Sequence, residues 1–417
     1  MNARLTSIFT AALLTAFTVV AARASSGDWP QWRGPDRTDV SKETGLLKSW
    51  PEGGPKRVWL FEGAGLGYSG PAIVGGKLFT MGVREDAEQL IAVDANTGKE
   101  LWFAKIGEIL KNGWGDGPRG TPTVAGTRVF TISGRGDVVC ANVADGKILW
   151  QRAMKDFGGK TPNWGYTESV LVDGNKVVCT PGGAQGAIVA LDKDKGELLW
   201  QSKDFTDPAH YSSIIVVNHG GKRQYVQLTE KHVVGIAAED GKRLWSSDWP
   251  GRTAVIPTPI FADGHVYVTA GYDAGSKLIK LSPSNEPSDV YFSKEMVNHH
   301  GGVVLVDGHL YGHSDRVGWL CQNFKTGEKV WAEKEALGKG AVTYADGMLY
   351  CVAEKDGTVA LVEASPKGWK EHSRFKLEPQ TTKRSSRGRI WTHPVVAGGR
   401  LYLRDQELLS CYDVKAK

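Results

Sequence analysis

Apolar residues in this chain fall in short alternating runs rather than with a helical period. PAIVGGKLFTM, PTVAGTRVFTI, SVLVDGNKVVCT, PIFADGHVYVTA, VVLVDGHLYGH, VTYADGMLYCV and PVVAGGRLYLR share one form: an apolar strand, a tight Gly-containing turn, and a second alternating strand. Period-two alternation on both sides of such a turn predicts a β-hairpin, because glycine supplies the positive φ that two-residue hairpin turns need. Downstream of most hairpins comes a third apolar run, a DxxTG-like turn and a fourth run ending at tryptophan. AVDANTGKELW, CANVADGKILW, ALDKDKGELLW, GIAAEDGKRLW and CQNFKTGEKVW end at Trp102, Trp150, Trp200, Trp245 and Trp331. A glycine stands four residues before each tryptophan (Gly98, Gly146, Gly196, Gly241, Gly327). A small residue stands ten before it (Ala92, Cys140, Ala190, Gly235, Cys321).

Four short antiparallel strands recurring every ~45 residues are the unit of a propeller blade. Hairpin counting predicts an all-β, eight-bladed β-propeller, with innermost strands starting near Pro71, Pro122, Ser169, Ser213, Pro257, Gly302, Ala341 and Pro394. Blades five and seven, with LSPSNEPSDVYF and LVEASPKGWKEHSRF, lose the Gly-to-Trp spacing. The last blade stops before its fourth strand. PKRVWLF at 55–61 reads as that missing strand, and its pairing with the C-terminal blade would close the ring and leave no open sheet edge.

The first residues read as a leader. A basic start through Arg4, an apolar run from Leu5 to Ala21 and the small-x-small site Ala22-Arg23-Ala24 form the layout of a secretory signal peptide. The expected division is 1–24 signal peptide, 25–56 an N-terminal arm and 57–417 the propeller, in an exported, periplasmic or secreted protein. No cysteine stands near the cleavage point for lipid attachment. Removal of the leader takes the formal charge from +5 to +3. A near-balanced charge points to no nucleic-acid partner, and no later apolar run is long enough to span a membrane.

The small-residue, glycine and tryptophan spacing resembles the tryptophan-docking repeat of the PQQ-like (quinoprotein-like, BamB-like) β-propellers, over nearly the whole chain after residue 56. The resemblance implies a structural role for the tryptophans, stacked between neighbouring blades. It leaves open two kinds of relative: quinone-dependent alcohol dehydrogenases and scaffold proteins of outer-membrane assembly. The arm DWPQWRGPDRTDVS resembles the opening of exported PQQ-like repeat proteins, and Trp29, Trp32 and Arg33 are expected to pack it onto the ring beside the closing strand.

Cys140, Cys321 and Cys411 occupy the small docking position and read as buried small residues. Cys179 and Cys351 lie on the second strand of the following blades. Two inter-blade disulfides, Cys140–Cys179 and Cys321–Cys351, therefore stay open.

Loops leading into the innermost strands ring the mouth of a propeller channel, where many loops converge on one concave site. They supply Tyr68 and Ser69, Arg119, Tyr166 and Glu168, His210 and Tyr211, Ile256, His299 and His300, Lys339, and Trp391 and His393, with Trp114, Asp116 and Trp164 just upstream. Aromatic faces suit flat or sugar-like ligands, and Arg119 or Lys339 suits an acid group. A metal at His299-His300 would need further ligands such as His210 and His393, and strand alternation would keep the adjacent pair from both facing the axis. The basic loop KRSSRGR at 383–389, just before the last of these positions, reads as a solvated loop that could add anion affinity.

No adjacent cysteine pair, calcium motif or catalytic base of the dehydrogenase type is present, so PQQ with Ca2+ is the lesser expectation and no cofactor the greater. A glycosidase would need two facing carboxylates, for which only Glu168 and Asp116 qualify. The reading is an exported, non-catalytic binding or scaffold propeller acting through its central funnel and top loops. Its partner would be an envelope protein or a small-molecule or glycan ligand. A quinoprotein-type oxidoreductase and a glycan-binding propeller are the alternatives.

Overall fold

The computed structural model describes residues 27–416; the signal peptide expected over 1–24 lies outside them. The described chain forms eight antiparallel blades in a ring, with strands a to d running from the channel outwards. Strand a spans Ala72–Val74, Thr123–Ala125, Leu171–Asp173, Ile215–His219, Ile260–Ala262, Val303–Val306, Gly340–Ala345 and Val395–Ala397 in blades 1 to 8. The hairpin starts read from the sequence thus hold to within three residues. Blade 8 takes its outer strand from Arg57–Phe61, antiparallel to Leu408–Asp413 with Trp59 opposite Cys411. The ring closes as expected.

The blade-to-blade contact explains the repeat. Across strands c and d the small residue faces the tryptophan: Ala92 and Trp102, Cys140 and Trp150, Ala190 and Trp200, Gly235 and Trp245, Cys321 and Trp331. Most of these rings then lean over the c–d turn of the next blade, while Trp245 Nε1 donates to Gln224 Oε1 of its own blade at 2.6 Å. A Cβ on Gly146 would lie 2.5 Å from the Trp102 ring, and one on Gly98, Gly196 or Gly241 would lie 2.8, 2.7 or 2.5 Å from Trp59, Trp150 or Trp200. The indole N–H donates to the carbonyl three residues before that glycine, Trp59 to Ala95 at 3.0 Å, Trp102 to Val143 at 3.1 Å and Trp150 to Lys193 at 3.0 Å. At these three positions the N–H is satisfied at the same point that fixes the blade angle, whereas Trp200 Nε1, docked on Gly241, has no partner among the described residues.

Blades five and seven keep this function with other residues. Tyr291 of blade 5 lies on Gly327, and its hydroxyl donates to Phe324 O at 3.0 Å. In blade 7, Phe375 docks on Gly54 and meets Trp50 edge-on. All five cysteines are free and buried. The two candidate disulfides are not formed.

The arm goes further than packing beside the closing strand. Trp29 shares a core with Trp59 and bridges Ile73 of blade 1. The following residues then enter the channel from the end bearing the a–b turns. Val124 N of blade 2 donates to Pro30 O at 2.8 Å. Arg37 donates to Ser169 O and Val170 O of blade 3 and to Ile214 O of blade 4. Trp32 Nε1 reaches Thr258 of blade 5 at 2.9 Å, and Arg33 reaches Val303 O of blade 6. Val40–Ser41 adds a short parallel strand to blade 7, and Glu43 accepts from Gly398 and Gly399 of blade 8. One segment thus bonds to all eight blades and plugs the channel. Arg33 and Arg37 are fully buried, and burial lowers both guanidinium pKa values, that of Arg37 to about 9. Backbone carbonyls at the starts of strands a accept from both; among the described residues Asp39, 2.9 Å from Arg33, is their one ion-pair partner.

Candidate functional site

Above the plug the channel opens into a funnel with a cavity of about 200 Å³. Seven aromatic side chains line it: Trp32 from the plug, and Tyr68, Trp114, Trp164, Tyr211, Tyr272 and Trp391 from the loops. His299, His300 and His393 complete the wall, with Arg119, Thr167, Ser169, Ser213, Ala254 and Ile256. The rings form chains of contact. Trp391 lies 5.0 Å from Tyr68, 5.2 Å from His300 and 6.3 Å from Trp114 between ring centroids. His299 continues from His300 at 4.5 Å and meets Tyr272 edge-on at 4.7 Å, while Trp164 stands against Tyr211 at 5.6 Å. Trp32 touches His393 at 4.6 Å from below.

Each loop is held by polar groups behind the wall. Tyr68 donates to Trp114 O at 2.5 Å. Arg119 donates to Trp164 O and Gly115 O, both at 2.8 Å. Lys339 donates to His299 Nδ1 at 2.8 Å, which leaves the His299 proton on Nε2, and pairs with Asp315 at 2.7 Å. Burial, helped by Lys339, lowers the His299 pKa to about 4, and burial holds His300 well below its ordinary value. Both are neutral at pH 7. Glu354 stands behind, 3.2 Å from both His300 Nε2 and Trp391 Nε1, and burial pushes its pKa up to about 7. His393 faces Asp39 at 3.2 Å and His300 O at 2.8 Å, so both its ring nitrogens are engaged.

Of the expected rim residues, Tyr68, Trp114, Arg119, Tyr211, His299, His300, Trp391 and His393 come together on this wall. Trp164 and Ile256 join them, and six stand elsewhere: Ser69, Asp116, Tyr166, Glu168, His210 and Lys339. Tyr166 is buried between blades 2 and 3 among Phe130, Met154 and Cys179, and its hydroxyl reaches Pro181 O. Glu168 is buried, spends its carboxylate on Thr180, and is pushed to about 7 by burial. His210 packs tilted against Tyr211, 5.1 Å between ring centroids, and Lys339 bonds to His299. Asp116 accepts from Asn112 N and Lys111 within its own loop. The alternation argument against His299 and His300 both facing the axis fails because they sit in a bend before strand a, not on it. Thr167 and Ser169 flank Glu168, and the strand alternation could have selected them instead. Tyr272 comes from the b–c loop of blade 5, which also reaches the mouth, and Trp32 from the plug.

Residues 86–333 match the family described as outer membrane protein assembly factor BamB, more than half of the chain. The chain belongs to the BamB family. The BamB of Yersinia pestis is 24% identical over 76% of this chain and 84% of its own length. That of Escherichia coli is 24% identical over 48% of this chain and 45% of its own. Among solved structures, BamB from Moraxella catarrhalis superposes with a TM-score of 0.62 at 14% identity, over 87% of this chain and 98% of that one. Quinohemoprotein alcohol dehydrogenase from Comamonas testosteroni gives 0.63 at 11% identity, over 95% and 82%. At such identities the superpositions establish the shared propeller only.

Family membership accounts for the ring and its docking tryptophans, while the funnel chemistry is read from this chain's own residues. The described residues that line the funnel include no carboxylate. Among the described residues no three His, Cys, Asp or Glu groups stand close enough to share a metal ion. Calcium takes oxygen ligands, and this wall offers imidazoles, indoles and a guanidinium. The donor set does not fit a calcium-bound quinone. Two facing carboxylates for glycoside hydrolysis are likewise not brought together, since Glu168 and Asp116 are both committed elsewhere.

Proposed function

We propose that the protein is an exported, non-catalytic binding module of the cell envelope that holds a protein partner in its aromatic funnel and top loops. The observation that carries this reading is the wall itself: broad indole and phenol faces, neutral imidazoles, one guanidinium, and neither a carboxylate nor a thiol at the surface. Such a wall buries apolar area and orients a partner, and it offers no nucleophile paired with a base. The plug supports a rigid site, because it ties all eight blades beneath the funnel floor. Membership of the BamB family supports a role of outer-membrane-assembly type, and the family supports an envelope partner.

The test immobilises the wild-type chain and a Trp391→Ala/Tyr211→Ala variant and passes envelope extract over both. A protein recovered by the wild type and lost by the variant is expected. Equal recovery, or none, overturns the reading. The same preparation, supplied with PQQ and Ca2+, is expected to show no dye-linked alcohol oxidation; turnover would replace a binding module with an oxidoreductase. Saturable saccharide binding with no protein captured would replace it with a glycan-binding propeller.

A further inference from the structure

One arc of the mouth, over blades 8, 1 and 2, carries a chemistry that the rest of the ring lacks. There a strip of rings runs Trp114, Trp391, Tyr68 and is bracketed by guanidinium groups. Arg387 lies over Trp114 at 5.8 Å and Arg119 over Tyr68 at 5.0 Å. Arg119 spends Nε and Nη2 on backbone carbonyls; no carboxylate stands within 4 Å of it among the described residues, and Nη1 has no acceptor there. The basic loop 383–389 is divided in the same sense. Lys383 pairs with Glu407 and Arg384 with Asp405, and Ser385 ties the loop to Gly113 O at 2.8 Å. Arg387 and Arg389 remain without an acidic partner among the described residues, and Arg389 donates only to carbonyls of its own loop. Trp114 itself is 41% exposed.

We infer that this arc receives an acidic segment of a protein partner that carries an aromatic residue, the acids on Arg119 and Arg387 and the ring against Trp391. The inference rests on the reading of the funnel as a partner-binding site and names the partner's chemistry. The two cations lie on different rings of the arc, Arg119 on Tyr68 and Arg387 on Trp114, with Trp391 in contact with both rings. A polypeptide that carries more than one acid and a ring matches that arrangement. A guanidinium on an aromatic face keeps its N–H edge for a carboxylate: Arg387 makes no hydrogen bond among the described residues and can pair bidentately, while Arg119 offers Nη1. Tryptophan, tyrosine and arginine are also the residues that dominate interface energetics. A basic segment would meet uncompensated like charge, and an uncharged sugar would leave the guanidinium groups unpaired.

The test uses fluorescence anisotropy with three labelled peptides: GSDEFDEFGS, its charge-reversed form GSKKFKKFGS and its ring-free form GSDEADEAGS. The first is expected to bind at least about tenfold more tightly than the other two and to weaken as salt rises from about 50 to about 500 mM. Arg387→Gln removes a side chain that makes no hydrogen bond, so the fold is undisturbed, and a loss of about threefold is expected. Arg119→Gln is expected to lose about tenfold, with circular dichroism to confirm folding. Equal binding of the charge-reversed peptide, or unchanged affinity in both variants, overturns the inference. So does free phenylacetate competing as strongly as the peptide, since that assigns the site to a small acid. If an envelope protein is still captured through Trp391 while these charge effects are nil, the inference falls and the binding module stands. If nothing is captured, the binding module falls.

Discussion

Gly146→Ala tests the docking of one blade on the next against an internal control in the same blade. Gly146 has φ +74°, and a Cβ there would lie 2.5 Å from Cε3 of Trp102 and 2.9 Å from Cδ2. Gly126, in the a–b turn of blade 2, has φ +62° and nothing within 4 Å of an added Cβ. Both alanines cost about 1–2 kcal/mol for the left-handed backbone. Only the first must also move an indole by about 1 Å to restore carbon–carbon contact. That shift breaks the 3.1 Å bond from Trp102 Nε1 to Val143 O, worth about 1 kcal/mol, and forfeits part of a half-buried ring's dispersion, about 1–2 kcal/mol. Gly146→Ala is therefore expected to be about 2–3 kcal/mol less stable than Gly126→Ala in equilibrium urea unfolding. Equal losses for the two alanines would refute tryptophan docking as the bond between blades.

Three further outcomes follow from buried groups. Arg404→Met, which removes donors to Ser69 O, Thr80 Oγ1, Met81 O, Ala64 O and Gly65 O, should cost about 3–5 kcal/mol by leaving those acceptors unpaired; a loss under about 1 kcal/mol in the same unfolding assay would refute it. Glu354, pushed up to about 7 by burial, has a folded pKa above its unfolded value. Its contribution to stability is full below about pH 4.5 and is lost as pH rises through 7, up to about 3 kcal/mol. Glu354→Gln should therefore gain on the wild type between pH 5 and 8 in thermal melts, and a parallel pH profile would contradict the assignment. Thiol titration with a disulfide reagent should find five reactive groups in guanidinium and none in the native protein, because every cysteine is free and buried; fewer in denaturant would mean a bridge has formed.

The ring was legible because its determinants are local and repeated. A Gly-containing turn sets each hairpin, and a glycine four residues before a tryptophan marks a c–d turn, so five copies fix a period. Tyr291 and Phe375 escaped that reading because docking needs a flat side chain above a turn, and tyrosine or phenylalanine serves without the spacing signature. The plug escaped for the opposite reason. Arg33 and Arg37 are solved by carbonyls of blades 3, 4 and 6, more than a hundred residues away, and nothing local in DWPQWRGPDRTDVS shows that acceptors await them. The rim could be enumerated from the alignment, but which of two adjacent residues faces the cavity depends on the bend before strand a. Tyr166 and Glu168 turn into the wall while Thr167 and Ser169 face the funnel, and at His299-His300 the bend exposes both.

Partner binding through the funnel end of the channel is tested most directly by photocrosslinking in intact cells. Trp114→p-benzoylphenylalanine places the probe on the exposed ring of the rim. The same substitution at Lys42, beside Glu43 and the a–b turns it caps, places it at the plugged end. After irradiation, a covalent adduct with an envelope protein is expected from position 114 and none from position 42. No adduct at 114, or equal adducts from the two ends, would contradict the funnel as the binding site.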